Sequence, residues 1–416
     1  ILEGFLLHGI TLLSAVDLEH QAVLEAPSDE PIVIDAIADI FFPYSQYFSS
    51  VNANYQVLPD GDWTSIPMED NEDGTFTAAI DPQVGGVIIA YYITMTDVFD
   101  QQSAVTPVGA TKEVYPNLPN FILVNYLAEQ VHDGDDFADF GSWQMGVNGD
   151  NASTGEWEEV VPIGSFSEEG DPATIVAPNS DHTPGGGNEG YCFVTGNSPS
   201  LTAGVGTNDV DDGHTTLRSQ SIDLTSYQDP AFAYWRWFAN APATGANPES
   251  DWWQVSISDD DGENWVRIEN TLTQDISWRR NVFKVSDYLD ITEDFRIQFV
   301  ASDSLRLGEN LDGGSLIEAA IDDIVLYDIN SVGIDEVEQS SVQLFPNPAS
   351  EQIQLRSNKA IGEFRVTDAQ GRVVLNGNAN QLTTLVVDIS QLAPGLYNVQ
   401  ANDVSSVLWT KSFVKD

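Results

Sequence analysis

Positive charge is scarce in this sequence. Its 416 residues hold 15 Lys+Arg against 65 Asp+Glu, which gives a formal net charge of −50. The shortage argues against nucleic acid as a partner, because neutralising phosphates requires Lys and Arg. An acidic surface suits calcium, which takes oxygen ligands, and it suits salty extracellular surroundings that screen self-repulsion. It also serves solubility alone, and composition does not separate these interpretations.

Cysteine and long apolar runs are also lacking. The single Cys192 excludes an internal disulfide framework and a paired-cysteine metal site, and its context YCFVTG predicts a small buried side chain on a strand. No apolar run reaches the ~18 residues that a membrane span needs. The apolar residues 1–16 lack an initiator Met and a basic segment, so no signal peptide is expected there. Residues 1–18 are interpreted as the tail of a missing upstream region.

Familiar catalytic motifs are missing too. None of the five histidines stands in an HExxH or Cys–His pattern, and neither a GxSxG elbow nor a P-loop occurs. Two carboxylates are enough for glycoside hydrolysis, but 65 acids make any chosen pair uninformative. No catalytic residue is therefore assigned. A glycosidase or peptidase site within these residues is the least favoured hypothesis.

Short alternating runs rich in Val, Ile, Thr and aromatic residues dominate what remains. Clusters of Asp, Asn, Gly and Pro separate these runs roughly every eight to twelve residues, a spacing typical of β-sandwiches. The predicted fold class is all-β, with three tandem β-sandwich domains. The predicted segments are an upstream tail at 1–18, an Ig-like spacer at 19–118, a jelly roll at 119–329, a linker at 330–341 and a small Ig-like domain at 342–416.

The first sandwich carries the runs VNANYQV, GDWTSIPMEDNEDGTFTAAID and VIIAYYITMTDVFDQ. Gly74 ends a hairpin turn in the second of these, at a position that requires a positive φ. The pattern resembles immunoglobulin-like or fibronectin type III-like modules found beside catalytic domains in secreted bacterial enzymes. The resemblance implies a spacer.

The second sandwich opens on an acidic segment with Phe, Gly and Trp, continues through the hairpin DDDGENW and closes on the strand EAAIDDI. This order resembles the MAM-like and cleaved-adhesin-like jelly rolls of bacterial secreted peptidases and adhesins. The disulfide cysteines of the animal MAM pattern are missing. The resemblance implies a role in adhesion or substrate targeting, and a parent protein that is an exported hydrolase such as a peptidase.

The charge balance changes at the third sandwich. Residues 1–341 hold 59 Asp+Glu and 9 Lys+Arg, whereas residues 342–416 hold six of each, a shift that marks a domain boundary. The segment from LFPNPAS onwards closely resembles the C-terminal sorting domain of the type IX secretion system, although Asp416 follows Lys415 where the family usually ends on or near Lys. The matching residues are Pro346, Asn347, Pro348, Asp368, Gly371, Arg372, Asp388, Leu392, Gly395, Tyr397, Lys411 and Lys415.

This resemblance implies a destination. The secretion machinery is the expected partner, and the route leads through the periplasm. The expected end point is release or attachment to surface lipopolysaccharide, so the protein is predicted to be secreted or held on the outer-membrane surface.

Calcium is the predicted cofactor, in a structural role. The first and last strands of a jelly roll can lie side by side, which would bring the acids of DDFADF towards those of EAAIDD. Strand alternation places Glu318 and Asp322 on one face and Asp323 on the other. The segment NDVDDG is a short, Asp-rich loop without the EF-hand frame. Solvated turns are the alternative for each of the predicted ligands, which are Asp136, Asp139, Asp209, Asp211, Asp212, Glu318 and Asp322.

Exposed aromatic rings would indicate a carbohydrate or peptide site. The run AYWRWFAN alternates, so one of its two sets of rings must pack in the core. Trp252 and Trp253 point one ring each way, and both are candidates for ligand binding. A carbohydrate-binding module of a secreted polysaccharide-degrading enzyme is therefore the alternative to an adhesion domain, with extracellular glycans or proteins as partners.

Overall fold

The computed structural model shows a chain built of strands. The regular elements in the described residues are 28 strands and one 3-10 turn at Val285–Asp287, which confirms the all-β fold class. No described helix is long and apolar enough to cross a membrane. The chain divides into two compact units, Ile1–Asn330 and Ser331–Asp416. The structure describes residues 16–40, 47–112, 114, 118–132, 142–167, 174–183, 190–200, 202–240, 250–303, 315–330, 343–345, 347–368, 372–403 and 408–416.

The first ten strands form two facing sheets. One has the order β1-β3-β7-β6, and the other has the order β2-β10-β8-β4-β5 with β9 paired to β8. Side chains of β3 alternate between buried and exposed, so the strand supplies one face to the core. Gly74 has a φ of 90° in the predicted hairpin turn. The bounds are β1 Val16–Glu19, β2 Glu25–Ala26, β3 Ile32–Ile40, β4 Phe48–Leu58, β5 Thr64–Pro67, β6 Glu69–Asp70, β7 Thr75–Ile80, β8 Ile88–Asp97, β9 Gln102–Thr106 and β10 Asn120–Val124.

The next thirteen strands form the second sandwich. Its first sheet has the order β13-β16-β23-β18-β21, and β11 also pairs with β23. Its second sheet has the order β12-β17-β22-β19-β20, and β14 and β15 form a separate hairpin. The bounds are β11 Tyr126–His132, β12 Gln144–Met145, β13 Trp157–Val160, β14 Ser165–Ser167, β15 Thr174–Ala177, β16 Cys192–Thr195, β17 His214–Arg218, β18 Ala231–Asn240, β19 Trp253–Ser258, β20 Val266–Thr271, β21 Asp275–Lys284, β22 Arg296–Ser302 and β23 Ile317–Ile329.

An aromatic core fills the space between these two sheets. Phe232, Phe238 and Trp253 pack there with Phe295 and Phe299, all of them fully buried. Burying rings of this size supplies much of the stabilisation of a domain. The first and last strands, β11 and β23, are antiparallel neighbours, as a jelly roll allows.

The two sandwiches of the first unit share an apolar interface. Phe121 of β10 and Ala231 of β18 belong to one buried cluster, together with Val282 and Tyr327. The chain leaves the first sandwich after β10 and enters the second at β11, with Asn125 between them at a φ of 59°. The change of sheet therefore lies several residues beyond the boundary predicted after residue 118.

The closing strand β23 departs from simple alternation. Ile321 and Ile324 both face the core although they are three residues apart, because a β-bulge inserts one residue opposite β18. Asp323 has a φ of 45° at this bulge. Asp322 and Asp323 both contact His182, so they lie on the same face. The prediction that Asp323 points away from Asp322 is wrong, and the bulge is the reason.

The second unit has its own core. Its sheet has the order β24-β25-β27-β28, with β26 paired to β25, and register shifts along β25 bend the strand. Ile353, Val366, Val399 and Phe413 are fully buried inside it. The bounds are β24 Gln343–Phe345, β25 Gln352–Asp368, β26 Val373–Asp388, β27 Gly395–Asp403 and β28 Leu408–Lys415.

Candidate functional site

Acidic side chains converge at one end of the second sandwich. Strands β17, β22 and β19 are antiparallel neighbours. The start of β17, the end of β22 and the start of β19 therefore lie side by side at one end of their sheet. The beginning of β23 lies close by, since Val210 N–H donates to the carbonyl of Ile317 at 3.0 Å. We call the five acids the acidic end cluster: Asp209, Asp211, Asp251, Asp303 and Glu318.

Close backbone contacts hold the loop that carries Asp209. Gly196 has a φ of 48°, and a Cβ added there would lie 1.8 Å from the carbonyl oxygen of Asn208. Only glycine permits this approach. Thr154 Oγ1 donates to the carbonyl of Asp209 at 2.8 Å. The carboxylate of Asp209 is consequently fixed in a buried position.

Two acids of the cluster have buried oxygens without a well-formed hydrogen bond. Asp303 is 1% exposed, and neither its carboxylate oxygens nor Asp209 Oδ1 have a well-formed hydrogen bond among the described residues. The nearby backbone N–H of Asp212 offsets only part of the rise in the pKa of Asp303. Burial, followed by repulsion from Asp251, raises the pKa of Asp303 to about 8. Burial and the charge of Asp211 raise the pKa of Asp209 to about 7. Such a group is disfavoured as an anion unless a cation or a proton compensates it.

Two further members of the cluster, Glu318 and Asp251, accept hydrogen bonds from serine hydroxyls. Glu318 accepts a hydrogen bond from Ser165 Oγ at 3.4 Å, and burial followed by repulsion from Asp209 raises its pKa well above the usual range. Asp251 is fully buried and accepts from Ser315 Oγ at 2.6 Å. All the donor atoms that converge here are oxygens, and an all-oxygen set is typical of calcium or magnesium, whereas zinc and copper sites usually include His or Cys. The donor chemistry therefore fits a hard cation.

The predicted metal ligands separate into four groups, of which Asp322 forms one by itself. The cluster brings together Asp209, Asp211 and Glu318. Asp212 is exposed and accepts from Ser153 Oγ at 3.2 Å. Asp136 and Asp139 lie outside the described residues.

Asp322 belongs to a different neighbourhood. It accepts from the backbone N–H of His182 at 2.7 Å, and His182 Nδ1 lies 2.5 Å from Asp323 Oδ2. The imidazole stacks on Trp235 with centroids 3.5 Å apart. Burial, followed by repulsion from Asp323, raises the pKa of Asp322 to about 8. These contacts tie the segment around His182 to the outer face of β18 and β23.

Asp251 and Asp303 are cluster members that sequence reasoning missed. Their sequence signal is slight: each is an acid just outside a strand, in ESDWWQ and in VASDS. Placing them in one cluster requires knowing which strand ends lie side by side, and only the observed strand pairing shows this. Within the described residues no three His, Cys, Asp or Glu side chains form a ready metal centre.

The two tryptophans proposed as ligand-binding residues have opposite positions. Trp253 is fully buried and packs on Phe238 and Phe299, so its assignment to a ligand is wrong; alternation directs its ring into the core. Trp252 lies on the outer face of the same sheet. It lines a groove of about 400 Å³ together with Arg218 and residues of β17, β22 and the rim loop 147–150.

Two motif residues of the second unit, Tyr397 and Asp368, stabilise turns through side-chain hydrogen bonds. Tyr397 is buried, donates to the carbonyl of Ala393 at 2.8 Å and stacks on Phe413 at 5.6 Å. Asp368 accepts from the backbone N–H of Arg372 at 3.0 Å and from its Nε at 2.7 Å. These contacts fix a hairpin end and the turn before β27.

The remaining motif residues lie on the final strand, contact it, or fall outside the described residues. Asn347 Oδ1 accepts from Val414 N–H at 2.9 Å. Gly395 pairs with Lys415, whose buried Nζ donates to the carbonyl of Asp416 at 2.5 Å. Lys411 is exposed. Pro346 and Gly371 lie outside the described residues.

Comparison with known families identifies this unit. Residues 343–416 match the secretion system C-terminal sorting domain. The segment is thus the type IX sorting domain that its motifs indicated, and the protein is exported to the cell surface or beyond. No curated protein matches the chain in sequence.

Solved structures similar to the chain are β-sandwich proteins at low identity. A DUF3244 protein of Bacteroides vulgatus with an immunoglobulin-like sandwich is 19% identical over 19% of this chain and 88% of its own, at a TM-score of 0.17. The CBM51-2 and INT domains of Clostridium perfringens ZmpB are 9% identical over 96% and 100%, at 0.28. The CBM22 tandem domain of Paenibacillus barcinonensis Xyn10C is 9% identical over 73% and 80%, at 0.25.

Proposed function

We propose that residues 1–330 form a calcium-stabilised adhesion or substrate-targeting region of an exported multidomain hydrolase such as a peptidase. The sorting domain accounts for export. The resemblance of the second sandwich to jelly rolls of secreted peptidases and adhesins supports the targeting role and the hydrolase context. The first sandwich serves as a spacer that packs against it.

The calcium proposal depends on one observation, the buried Asp303, whose two oxygens lack well-formed hydrogen bonds among the described residues. Asp209 and Asp303 would hold the ion, and the charges of Asp211, Asp251 and Glu318 would add to its attraction. Calcium takes six to eight oxygens, so backbone carbonyls, hydroxyls and water would complete the shell. A bound cation would remove the mutual repulsion that raises the pKa values of Asp209 and Asp303.

Calcium is therefore expected to stabilise the full chain. A ligand at 100 times its Kd that binds only the native state adds about 2.7 kcal/mol, which for a domain of this size raises Tm by several degrees. Asp303→Asn should lose this rise, yet should melt at or above the wild type in chelator, because it replaces a buried carboxyl that resists ionisation with a neutral amide. Differential scanning calorimetry with millimolar calcium and with chelator measures both effects.

Glu293→Gln is the matched control, because Glu293 is an exposed acid of the same sandwich. It should keep the full calcium response. An unchanged Tm of the wild type on adding calcium, or an equal response in the Asp303→Asn variant, would remove the metal proposal.

Carbohydrate binding is a second candidate function for the second sandwich. The observation that favours it is the groove beside Trp252, where a partly exposed indole stands next to amide, hydroxyl and guanidinium groups. Concave sites of 300–1,000 Å³ with a few placed polar groups are typical of small-ligand binding. A glycan array probed with the full chain tests it, and an array without binding would exclude it.

A further inference from the structure

The outer face of one sheet has an unusual charge. Strands β12, β17, β22, β19 and β20 contain a single acidic residue, Glu269, and that residue is buried against the core. Three of the nine Lys and Arg in residues 1–341 lie on these strands: Arg218, Arg267 and Arg296.

The opposite rule holds elsewhere in the same unit. The exposed positions of β3 include Asp35 and Asp39, in keeping with 59 Asp+Glu against 9 Lys+Arg in residues 1–341. The strands of this sheet therefore carry three arginines and no exposed acid, in contrast to the acidic average of residues 1–341. This composition makes the face locally complementary to an anion.

Arg218 is the charged group of the groove floor. Its Nε and Nη2 donate to Gln298 Oε1 at 3.0 and 2.7 Å, and its guanidinium lies 4.9 Å from the ring centroid of Trp265. These contacts fix the planar group without neutralising it, since no described carboxylate forms an ion pair with it. A guanidinium has five N–H donors, so several stay available to a carboxylate.

The rim of the groove contains one acid, Asp150, which is occupied. Its Oδ2 accepts from the backbone N–H groups of Val147 and Thr216, both at 2.9 Å, and its Oδ1 accepts from Thr216 Oγ1 at 2.8 Å. His214 Nε2 lies 3.5 Å from the same Oδ1. The carboxylate therefore holds the rim loop in place. Its charge acts on Arg218 at longer range but forms no ion pair with it, so the guanidinium stays available to a ligand.

Trp252 supplies the second kind of contact. Its indole is partly exposed on the groove wall beside Gln254 and Val300. Aromatic faces give large, rigid contact areas at low entropic cost, and a sugar ring presents C–H groups that can lie on such a face. A stacking ring, neutral hydrogen-bonding groups and one fixed guanidinium form the set of contacts that this groove offers.

We propose that the groove binds a polysaccharide that carries carboxylates, with Trp252 stacking on a sugar ring and Arg218 pairing with a uronic acid carboxylate. The proposal deepens the second candidate function and depends on it. Nucleic acid fits less well, because a chain of phosphates needs a row of cations and the floor has one. The bidentate geometry of Arg and carboxylate gives selectivity over neutral sugars.

Titration of the full chain with short oligosaccharides tests the proposal. A polygalacturonate oligosaccharide should bind at least tenfold more tightly than a neutral galactan oligosaccharide of the same length. Arg218→Gln should reduce affinity for the charged ligand about tenfold and should leave affinity for the neutral ligand unchanged. Trp252→Ala should weaken both. Lys112→Gln, which removes an equal charge from an exposed site of the first sandwich, should change neither.

Three results would overturn the inference. They are equal binding of the neutral oligosaccharide, equal effects of Arg218→Gln and Lys112→Gln, and equally tight binding of polyglutamate, which would indicate a general anion or peptide surface. Binding of neutral glycans alone would leave the carbohydrate function standing, whereas no binding of any glycan would remove both. Calorimetric melting of each variant shows that the groove remains folded.

Discussion

Replacing Arg236 with alanine should lower the free energy of unfolding of the second sandwich by about 3–5 kcal/mol, because it leaves a buried carboxylate without its counter-charge. Arg236 and Glu269 are 0% and 2% exposed. Nε lies 2.7 Å from Oε1. The pair joins β18 of one sheet to β20 of the other through the middle of an otherwise aromatic core.

The surroundings of Glu269 show why the loss is large. Tyr234 O–H donates to its second oxygen at 2.8 Å, and Asn281 Nδ2 donates to the same oxygen at 3.1 Å. Without Arg236 the carboxylate keeps these neutral donors but loses its ion-pair partner. Removing one partner of a buried pair is far more damaging than removing both.

Urea unfolding of the variants separates this effect from a simple loss of packing. The double variant Arg236→Met, Glu269→Leu should recover most of the loss, since it leaves no buried charge. Arg296→Ala is the matched control, because its partner Asp261 is largely exposed and such pairs contribute at most about 1 kcal/mol. Equal losses for Arg236→Ala and Arg296→Ala would contradict the account, as would a double variant less stable than the single one.

This pair also marks the limit of what the sequence predicts. Alternation in AYWRWFAN divides the residues into a set with Tyr234, Arg236 and Phe238 and a set with Trp235 and Trp237, but it does not say which set faces inward. A charged residue in the inward set is acceptable only because Glu269, on the facing sheet, meets it. That partnership depends on how two sheets stack, which no local pattern contains.

In the acidic end cluster, too, some residues could be predicted from the local sequence and others could not. Local pattern picked out Asp209 and Asp211 in an Asp-rich loop and Glu318 on an apolar strand. Asp251 and Asp303 cannot be assigned to the cluster from the sequence, because only the strand order β17-β22-β19 places their strand ends side by side. Strand existence, hairpin turns such as that at Gly74 and the buried Cys192 follow from nearest neighbours in the sequence and are confirmed.

The sorting domain could be predicted from the sequence because its ordered motifs resemble a known family, and two of its motif residues also act locally. Tyr397 forms a hydrogen bond with Ala393, four residues earlier, and Asp368 forms one with Arg372, four residues later. Contacts of this range recur wherever the spacing recurs. The groove beside Trp252 is the opposite case, since its charge pattern is a property of five strands that are far apart in the chain.

Deleting residues 343–416 should abolish export across the outer membrane and leave the protein in the periplasm. The segment matches the sorting domain, forms part of a separate compact unit and has a core of its own. Its six acidic and six basic residues give it a neutral balance that is independent of the acidic passenger. A label that folds independently offers the machinery the same surface whatever precedes it.

Transfer of the segment to an unrelated reporter gives the stronger form of this test in a type IX-competent host. The reporter fused to residues 331–416 should reach the cell surface or the medium, where added protease digests it in intact cells. The same reporter fused to residues 126–330 should stay protected in the periplasm. Tyr397→Ala in the fusion should reduce delivery, because it removes a buried ring and the hydrogen bond that holds the turn before β27. A reporter that stays in the periplasm with residues 331–416 attached would refute the assignment, since the recognised surface would then extend into the passenger.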